Sequence, residues 1–213
     1  MSTDISRYTI TAALPYANGP VHIGHLAGCY LPSDIYARYL RKNEKELIFV
    51  CGTDEHGAAI NMKAKSEGAQ PREIVDRYHE VIRGSLEDIG ISFDIFSRTS
   101  KEVHHKTAQD FFKKLYDKGS LEEKVTKQYF DEEAAQFIAD RFIVGECPNC
   151  HFKEAYGDQC ENCGTSLSPT DLIEPKSRLS GAAPVLKETK HWFLPLDHLS
   201  GKIKDYIQAH ENW

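Results

Sequence analysis

The sequence predicts an α/β protein: the first half of a doubly wound parallel sheet, followed by a β-rich insertion. Three observations carry that expectation. Two short β-rich runs, Tyr8 to Leu14 and Glu46 to Cys51, are separated by one amphipathic stretch, which is the spacing of a βαβ unit with its right-handed crossover. Each run empties into a polar, glycine-containing loop, and in a parallel sheet such strand ends line one crevice. After Gly119 the helical periodicity gives way to short β-like pieces, turn residues and four regularly spaced cysteines.

Taken in order, Tyr8 to Leu14 reads as a largely buried strand that breaks at Pro15 and enters an Asn18-Gly19-Pro20 turn. A helix is expected from about Gly24 to Lys42, through Leu26, Tyr30, Ile35 and Tyr39. Pro32 inside it removes a backbone bond and crowds the preceding turn, so a kink or a late start is expected there. Glu46 to Cys51 is the second strand and runs into Gly52-Thr53-Asp54-Glu55-His56-Gly57. A short helix follows over residues 58 to 70 and stops at Gly68. Pro71 opens a stronger helix with apolar positions Ile74, Tyr78, Val81, Ile82 and Ile89, proline being favoured in a first turn. Phe93 to Phe96 is a candidate third strand, and Ser100 to Lys118 a helix carrying Phe111, Phe112 and Leu115. Beyond Gly119, the β-like pieces are Val125 to Phe130, Phe142 to Val144 and Val185 to Lys187. The tail, from about Asp197 to Trp213, returns to helical spacing.

Composition narrows the function classes. The chain has 213 residues, 40% hydrophobic and 27% charged, ordinary for a globular protein of one large or two small domains. No apolar run nears the ~18 residues of a membrane span. The start, MSTDISRYT, has no leader pattern, so a cytoplasmic location is the default expectation. A net charge of −6 argues against a chain-wide basic face for nucleic acid, while leaving room for a local one.

The six cysteines are of two kinds. Cys29 and Cys51 sit in apolar or small-residue surroundings and read as buried free thiols. Cys147, Cys150, Cys160 and Cys163 form C-x2-C-x9-C-x2-C, a two-knuckle metal spacing that in a cytosolic chain means zinc rather than disulfides. Four thiolates fill a tetrahedral ion and leave no open position, so the expected zinc is structural, one per chain. His151 is not needed as a ligand. Losing the metal should unravel a segment with little core of its own.

The stretch Tyr8 to His25, YTITAALPYANGPVHIGH, looks built for chemistry. Strand, tight loop, then helix turns helix-start N–H groups toward an open crevice, where a phosphate would be held. His22 and His25, three residues apart, share a face. Two ordinary surface or packing histidines would fit an isolated HxxH, but not one preceded by this strand and loop. Neither GxxxxGK[ST] nor GxGxxG occurs. Asp54, at the second strand end, reads locally either as a helix N-cap or as a crevice carboxylate. His56 either steadies its loop or supports the crevice.

PYANGPVHIGH resembles the HIGH signature of class I aminoacyl-tRNA synthetases. CGTDEHG at 51–57, the cysteine knuckles and SPTDLIEPKSRLSG at 168–181 resemble the methionyl branch of that class, and the likeness covers essentially the whole chain. The resemblance implies a Rossmann-like, HIGH-type fold. It also implies a two-step ligase reaction: methionine and ATP with magnesium give methionyl-adenylate and pyrophosphate, and the methionyl group then passes to tRNA for protein synthesis. It implies that His22 and His25 are catalytic and bind the ATP phosphates, and that Gly24 lets adenine lie against the helix start. Asp54 would receive methionine's ammonium. Ala13, Leu14 and Tyr16 would line its side-chain pocket, with His56 in support. Residues 1–118 would be the first half of the nucleotide-binding catalytic domain. Residues 119–213 would be a connective insertion supporting the tRNA acceptor end, with zinc knuckles at about 144–168 and a closing helix.

Three family features are missing from these residues: the KMSKS signature, the second half of the nucleotide fold and the helical anticodon-binding domain. The expectation is therefore an N-terminal portion of a longer synthetase, nearly inactive alone. Two competing readings are a related class I ligase for isoleucine, leucine or valine, and a non-enzymatic zinc-ribbon module that binds RNA.

Overall fold

A computed structural model describes residues 7–210. Residues 1–6 of the polar start and residues 211–213 of the expected tail helix lie outside it. The chain divides into two compact units, Met1–Gln109 and Asp110–Trp213. The division falls inside a helix that ends just before Gly119, where the sequence changes character.

The first unit is built on a three-stranded parallel sheet of β1 (Arg7–Thr11), β2 (Glu46–Thr53) and β3 (Ile95–Arg98), in the order β1-β2-β3. The register runs from Arg7↔Glu46 to Thr11↔Val50 and from Val50↔Ile95 to Thr53↔Arg98. The central strand carries the burial: Phe49, Cys51 and Thr53 lie inside. β1 is not the largely buried strand its composition suggests. It alternates exposed and half-buried residues, because it pairs on one side only among the described residues. The third strand begins two residues later than expected, and Phe93 packs on the core ahead of it.

From Ile23 to Lys42 the backbone winds without a break: α1 (Ile23–His25), a π turn over Leu26–Tyr30, then α2 (Leu31–Lys42). The late start does not occur. The Leu31 N–H reaches back five residues to the Leu26 carbonyl, and this wider turn precedes Pro32, whose ring would otherwise crowd the carbonyl four residues earlier. Below the proline, the Ser33 hydroxyl donates to the Cys29 carbonyl at 2.8 Å. Asp34, buried, then clamps α2 to the approach of β3. It accepts from Arg38 at 2.5 Å and from both the N–H and the hydroxyl of Ser92, at 2.8 and 2.6 Å.

α3 (Ala58–Glu67) ends, as expected, at Gly68 in the left-handed region. α4 (Pro71–Asp88) starts with Gln70 and Glu73 in a reciprocal cap. Its inner face is Ile74, Val75, His79, Ile82 and Leu86. Val81 and Ile89, expected inside, are 41% and 44% exposed; Val81 is one residue, about 100°, from the buried Ile82. α5 (Glu102–Asp117) buries none of its residues, Phe111 and Phe112 included.

The second unit pairs β4 (Glu122–Asp131) with β9 (Val185–Phe193) in an antiparallel ribbon, extended by β5 (Gln136–Phe137). A smaller antiparallel sheet, in the order β7-β6-β8, contains β6 (Ile143–Glu146), β7 (Ala155–Tyr156) and β8 (Ile173–Ser177). The unit's core is thin: Ile138, Phe142, Ile143, Ala155 and Leu172 with Cys147 and Cys160. α6 (Ser200–Gln208) closes the described tail.

Candidate active site and metal centre

The two strand-end loops of the first unit are hydrogen-bonded together. The Asp54 N–H donates to the Pro15 carbonyl at 2.8 Å, and the Ala17 N–H donates to the Asp54 carbonyl at 2.9 Å, which makes a parallel bridge between Tyr16 and Asp54. Ala17 is fully buried among Ile60, Ala64, Ile74 and Val75, and this anchors the first loop from below. Ala13 is fixed through its carbonyl, which accepts from the Tyr30 hydroxyl at 3.0 Å. Burial raises the Tyr30 phenol well above its usual range, so it stays a protonated donor. Leu14 and Tyr16 face outward, 50% and 53% exposed. Asp54 does not cap α3. That helix starts at Gly57 with no side-chain cap, and Asp54 instead accepts from the His56 N–H at 3.4 Å.

His22 and His25 are held by their own turn. The Gly24 N–H donates to His22 Nδ1 at 3.1 Å, and the His22 N–H donates to His25 Nδ1 at 3.1 Å, closing a reciprocal cap. The two exposed rings lie 3.8 Å apart, centroid to centroid. Because each Nδ1 is an acceptor, the proton of each neutral ring sits on Nε2. The pair thus offers two N–H donors, while the amides of His22, Gly24, His25 and Leu26 are taken up within the turn itself and not turned toward a ligand as the sequence suggested. A Cβ at position 24 would stand 3.0 Å from His22 Cε1, so any larger residue there would press the His22 ring out of its place by a few tenths of an ångström.

In the second unit the four cysteine sulphurs converge within 4.8 Å of one another. Cys147 and Cys163 are 3.9 Å apart, Cys150 and Cys160 3.6 Å. One tetrahedral ion with bonds of about 2.3 Å would set its sulphurs roughly 3.8 Å apart, so the residues fit a metal ion. The knuckles share one geometry. His151 and Gly164, each four residues after its knuckle's first cysteine, both have positive φ and donate their N–H to that cysteine's carbonyl. The asparagines cross over: Asn149 donates to Cys163 Sγ at 3.8 Å and Asn162 to Cys150 Sγ at 3.6 Å. The Asn162 contact lowers the Cys150 thiol, and Thr165 holds the Cys163 thiol down to about 6. Burial pushes Cys160 up to about 11. His151 is exposed and bonds Glu146 at 2.7 Å. Of the remaining cysteines, Cys51 is buried and Cys29 only partly so.

A model of the family described as tRNA synthetases class I (M) matches residues 8–213. The chain belongs to this class I family. It is 60% identical to the methionine–tRNA ligase of Bacteroides fragilis over all of its length and 32% of the relative's. It is 62% identical to that of Flavobacterium psychrophilum over 94% of the chain and 29% of the relative. The chain thus spans about a third of the length of these curated relatives. Two solved structures, both 20% identical, share the fold. A Mycobacterium tuberculosis methionyl-tRNA synthetase bound to methionyl-adenylate has a TM-score of 0.69, covering 98% of this chain and 36% of that one. An Agrobacterium radiobacter LeuRS–tRNA–LeuAMS complex has a TM-score of 0.66, covering 100% and 23%.

This class I synthetase chain also holds a cluster that sequence reasoning did not single out. Beneath the Asp54 loop, the Glu55 side chain is fully buried. It accepts from Arg98 Nε at 2.7 Å, from the Thr53 hydroxyl at 2.9 Å and from the Ser100 hydroxyl. Its own N–H donates to Thr99 Oγ1 at 2.9 Å. Arg98 also pairs with Asp76 at 2.5 Å. His79 Nδ1 lies 2.7 Å from the Thr53 hydroxyl. That hydroxyl's one proton goes to Glu55, so His79 is the donor in this bond. Burial first, then the Arg98 charge, lowers the His79 pKa and keeps the ring neutral. Above the loop, His56 Nε2 meets His105 Nε2 at 3.2 Å. The available signal was the alternation Thr53-Asp54-Glu55-His56, which sends successive side chains to opposite faces of an extended strand end. Among the described residues, no helix is long and apolar enough to cross a membrane.

Proposed function

We propose that this chain supplies the HIGH-bearing wall of the catalytic site of a methionine–tRNA ligase, the whole protein converting methionine and ATP to methionyl-adenylate and then charging tRNA. The observation that carries the reading is the joining of two strand ends. Asp54 is bridged to the Pro15–Ala17 loop that leads to His22 and His25. On this reading an ammonium-binding carboxylate and a pair of phosphate-binding N–H donors stand on adjoining strand-end loops.

The chemistry follows from charge. Methionine's carboxylate oxygen attacks the α-phosphorus of ATP, the bond to the β-phosphate oxygen breaks, and negative charge moves onto departing pyrophosphate. Such a transfer needs fixed donors more than a covalent nucleophile. The Nε2–H groups of His22 and His25 supply two, and magnesium bound with ATP supplies further countercharge. Gly24 leaves the adenine room at the helix start. Asp54 receives the ammonium, Ala13, Leu14 and Tyr16 form one side of the thioether pocket, and His56 supports it. Cys147, Cys150, Cys160 and Cys163 hold one zinc, which is structural because the four thiolates use every tetrahedral position. The surrounding insertion meets tRNA. The protein acts in the cytoplasm.

The fold likeness to a LeuRS keeps a branched-chain ligase as the second reading. Identity near 60% to methionine–tRNA ligases favours methionine. ATP–pyrophosphate exchange by the full-length protein, run with methionine, isoleucine, leucine and valine in turn, decides between them. Methionine should drive exchange. Exchange driven by isoleucine and not methionine would overturn the assignment. An RNA-binding module with no ligase role would give none with any amino acid.

A further inference from the structure

The proposed reaction gives Glu55 no contact with substrate, yet its carboxylate is the most heavily bonded group near the site. The extended strand end explains why. Thr53 and Glu55 point down into the protein, Asp54 and His56 up. Down below, Glu55 takes three side-chain hydrogen bonds from Thr53, Arg98 and Ser100, and its backbone is tied to Thr99. Arg98 and Ser100 come from β3 and the turn after it, and Arg98 is braced by Asp76 on α4. Up above, among the described residues, Asp54 has a single weak side-chain bond, to the His56 N–H. The aim of Asp54 is therefore set mainly by the backbone, and the backbone is held by Glu55 on one face and the Pro15–Ala17 bridge on the other.

We propose that Glu55 is a positioning residue: fixed by Arg98, Thr53 and Ser100, it sets the outward aim of Asp54 and His56, and through them the site's grip on the ammonium end of the amino acid. The proposal rests on the ligase reading of this crevice. It separates the two halves of the substrate set. The ATP donors His22 and His25 are held by their own turn, with no bond to Glu55. Disturbing Glu55 should thus weaken the amino acid and spare the nucleotide.

The test is ATP–pyrophosphate exchange by the full-length protein carrying Asp54→Asn, Glu55→Gln or Ser100→Ala, with KM measured separately for methionine and ATP, and thermal midpoints alongside. Glu55→Gln keeps the shape but removes the charge facing Arg98. It should raise the methionine KM at least tenfold, leave the ATP KM within twofold, and change kcat less than the methionine KM. A lower kcat with both KM values unmoved would mean only a smaller folded fraction and would overturn the proposal. Should Glu55→Gln fail to fold, Ser100→Ala decides: a roughly threefold rise in methionine KM with ATP unaffected supports the proposal, and no change overturns it. Asp54→Asn tests the underlying reading by itself. If it leaves the methionine KM unaltered, that reading falls. If it raises the methionine KM while Glu55→Gln does not, the reading stands and the positioning role falls.

Discussion

His22 uses one ring for a bond within its own turn and for a proposed contact with substrate, and the two can be separated. Its Nδ1 caps the turn by accepting from Gly24, while Nε2–H is the group proposed to meet a phosphate. Asparagine is also a good N-cap. His22→Asn in the full-length protein should keep the thermal midpoint within a degree or two and lower exchange by about 10²-fold or more, the usual scale for one lost transition-state donor. Equal exchange in wild type and variant would remove the histidine from the mechanism. His79 behaves oppositely, being buried and neutral. Its folded pKa lies below its ordinary 6.5, so between those values the unfolded chain holds a proton that the folded chain lacks. Its contribution is therefore complete above 6.5 and lost as pH falls through the folded value. His79→Gln should flatten the fall in thermal midpoint from pH 7 to 5; an unchanged slope would contradict this. At this scale the sequence was legible where partners are close in number. The histidine pair and the cysteines announce themselves, whereas Glu55 meets Arg98 from 43 positions away.

Elements were legible wherever local chemistry writes their ends. Pro71 with the Gln70–Glu73 cap, Gly68 and Gly119 marked real boundaries. Lateral facts were not, because they depend on neighbours. β1 reads as a core strand by composition but is half exposed, pairing on one side only among the described residues, and β3 begins two residues late, with Phe93 packed on the core ahead of it. One close approach in the sheet also lacks a local sign. A Cβ on Gly52 would stand 2.6 Å from the Ser97 carbonyl oxygen. Gly52→Ala should therefore push β2 from β3 at the root of the Asp54 loop, with a loss of about 1–3 kcal/mol typical of overpacking. Denaturant unfolding would measure it, and an unperturbed midpoint would show that the strands can part freely.

At the scale of the molecule, the two units differ in what holds them. The first has a central strand, flanking helices and two apolar clusters. The second has long ribbons, few buried side chains and the cysteine cluster. Metal removal should act accordingly. Chelation under reducing conditions, or Cys160→Ser, should lower solubility and cost β-type circular dichroism, while signals from the first unit persist. Elemental analysis should find one zinc per chain, and a fully folded chain without metal would refute the structural role. The cysteine spacing pointed to the cluster that the second unit gathers. It could not show the crossed Asn149 and Asn162 contacts, because those depend on how one knuckle faces the other.

The π turn over Leu26–Tyr30 also keeps a phase. Leu26 and Leu31 are five residues apart, yet the Leu31 N–H still bonds the Leu26 carbonyl, so the wide turn takes in one residue more than regular winding without the rotation of about 100° that a residue is otherwise worth. His22 and His25 lie before that extra residue; Asp34, which clamps the helix to the core, lies after it. The turn is thus slack in the winding between anchor and site. Deleting Gly28, which makes no close contact at its Cβ position, would let the same two residues bond four apart, as in an ordinary helix, and leave both imidazoles facing as they do.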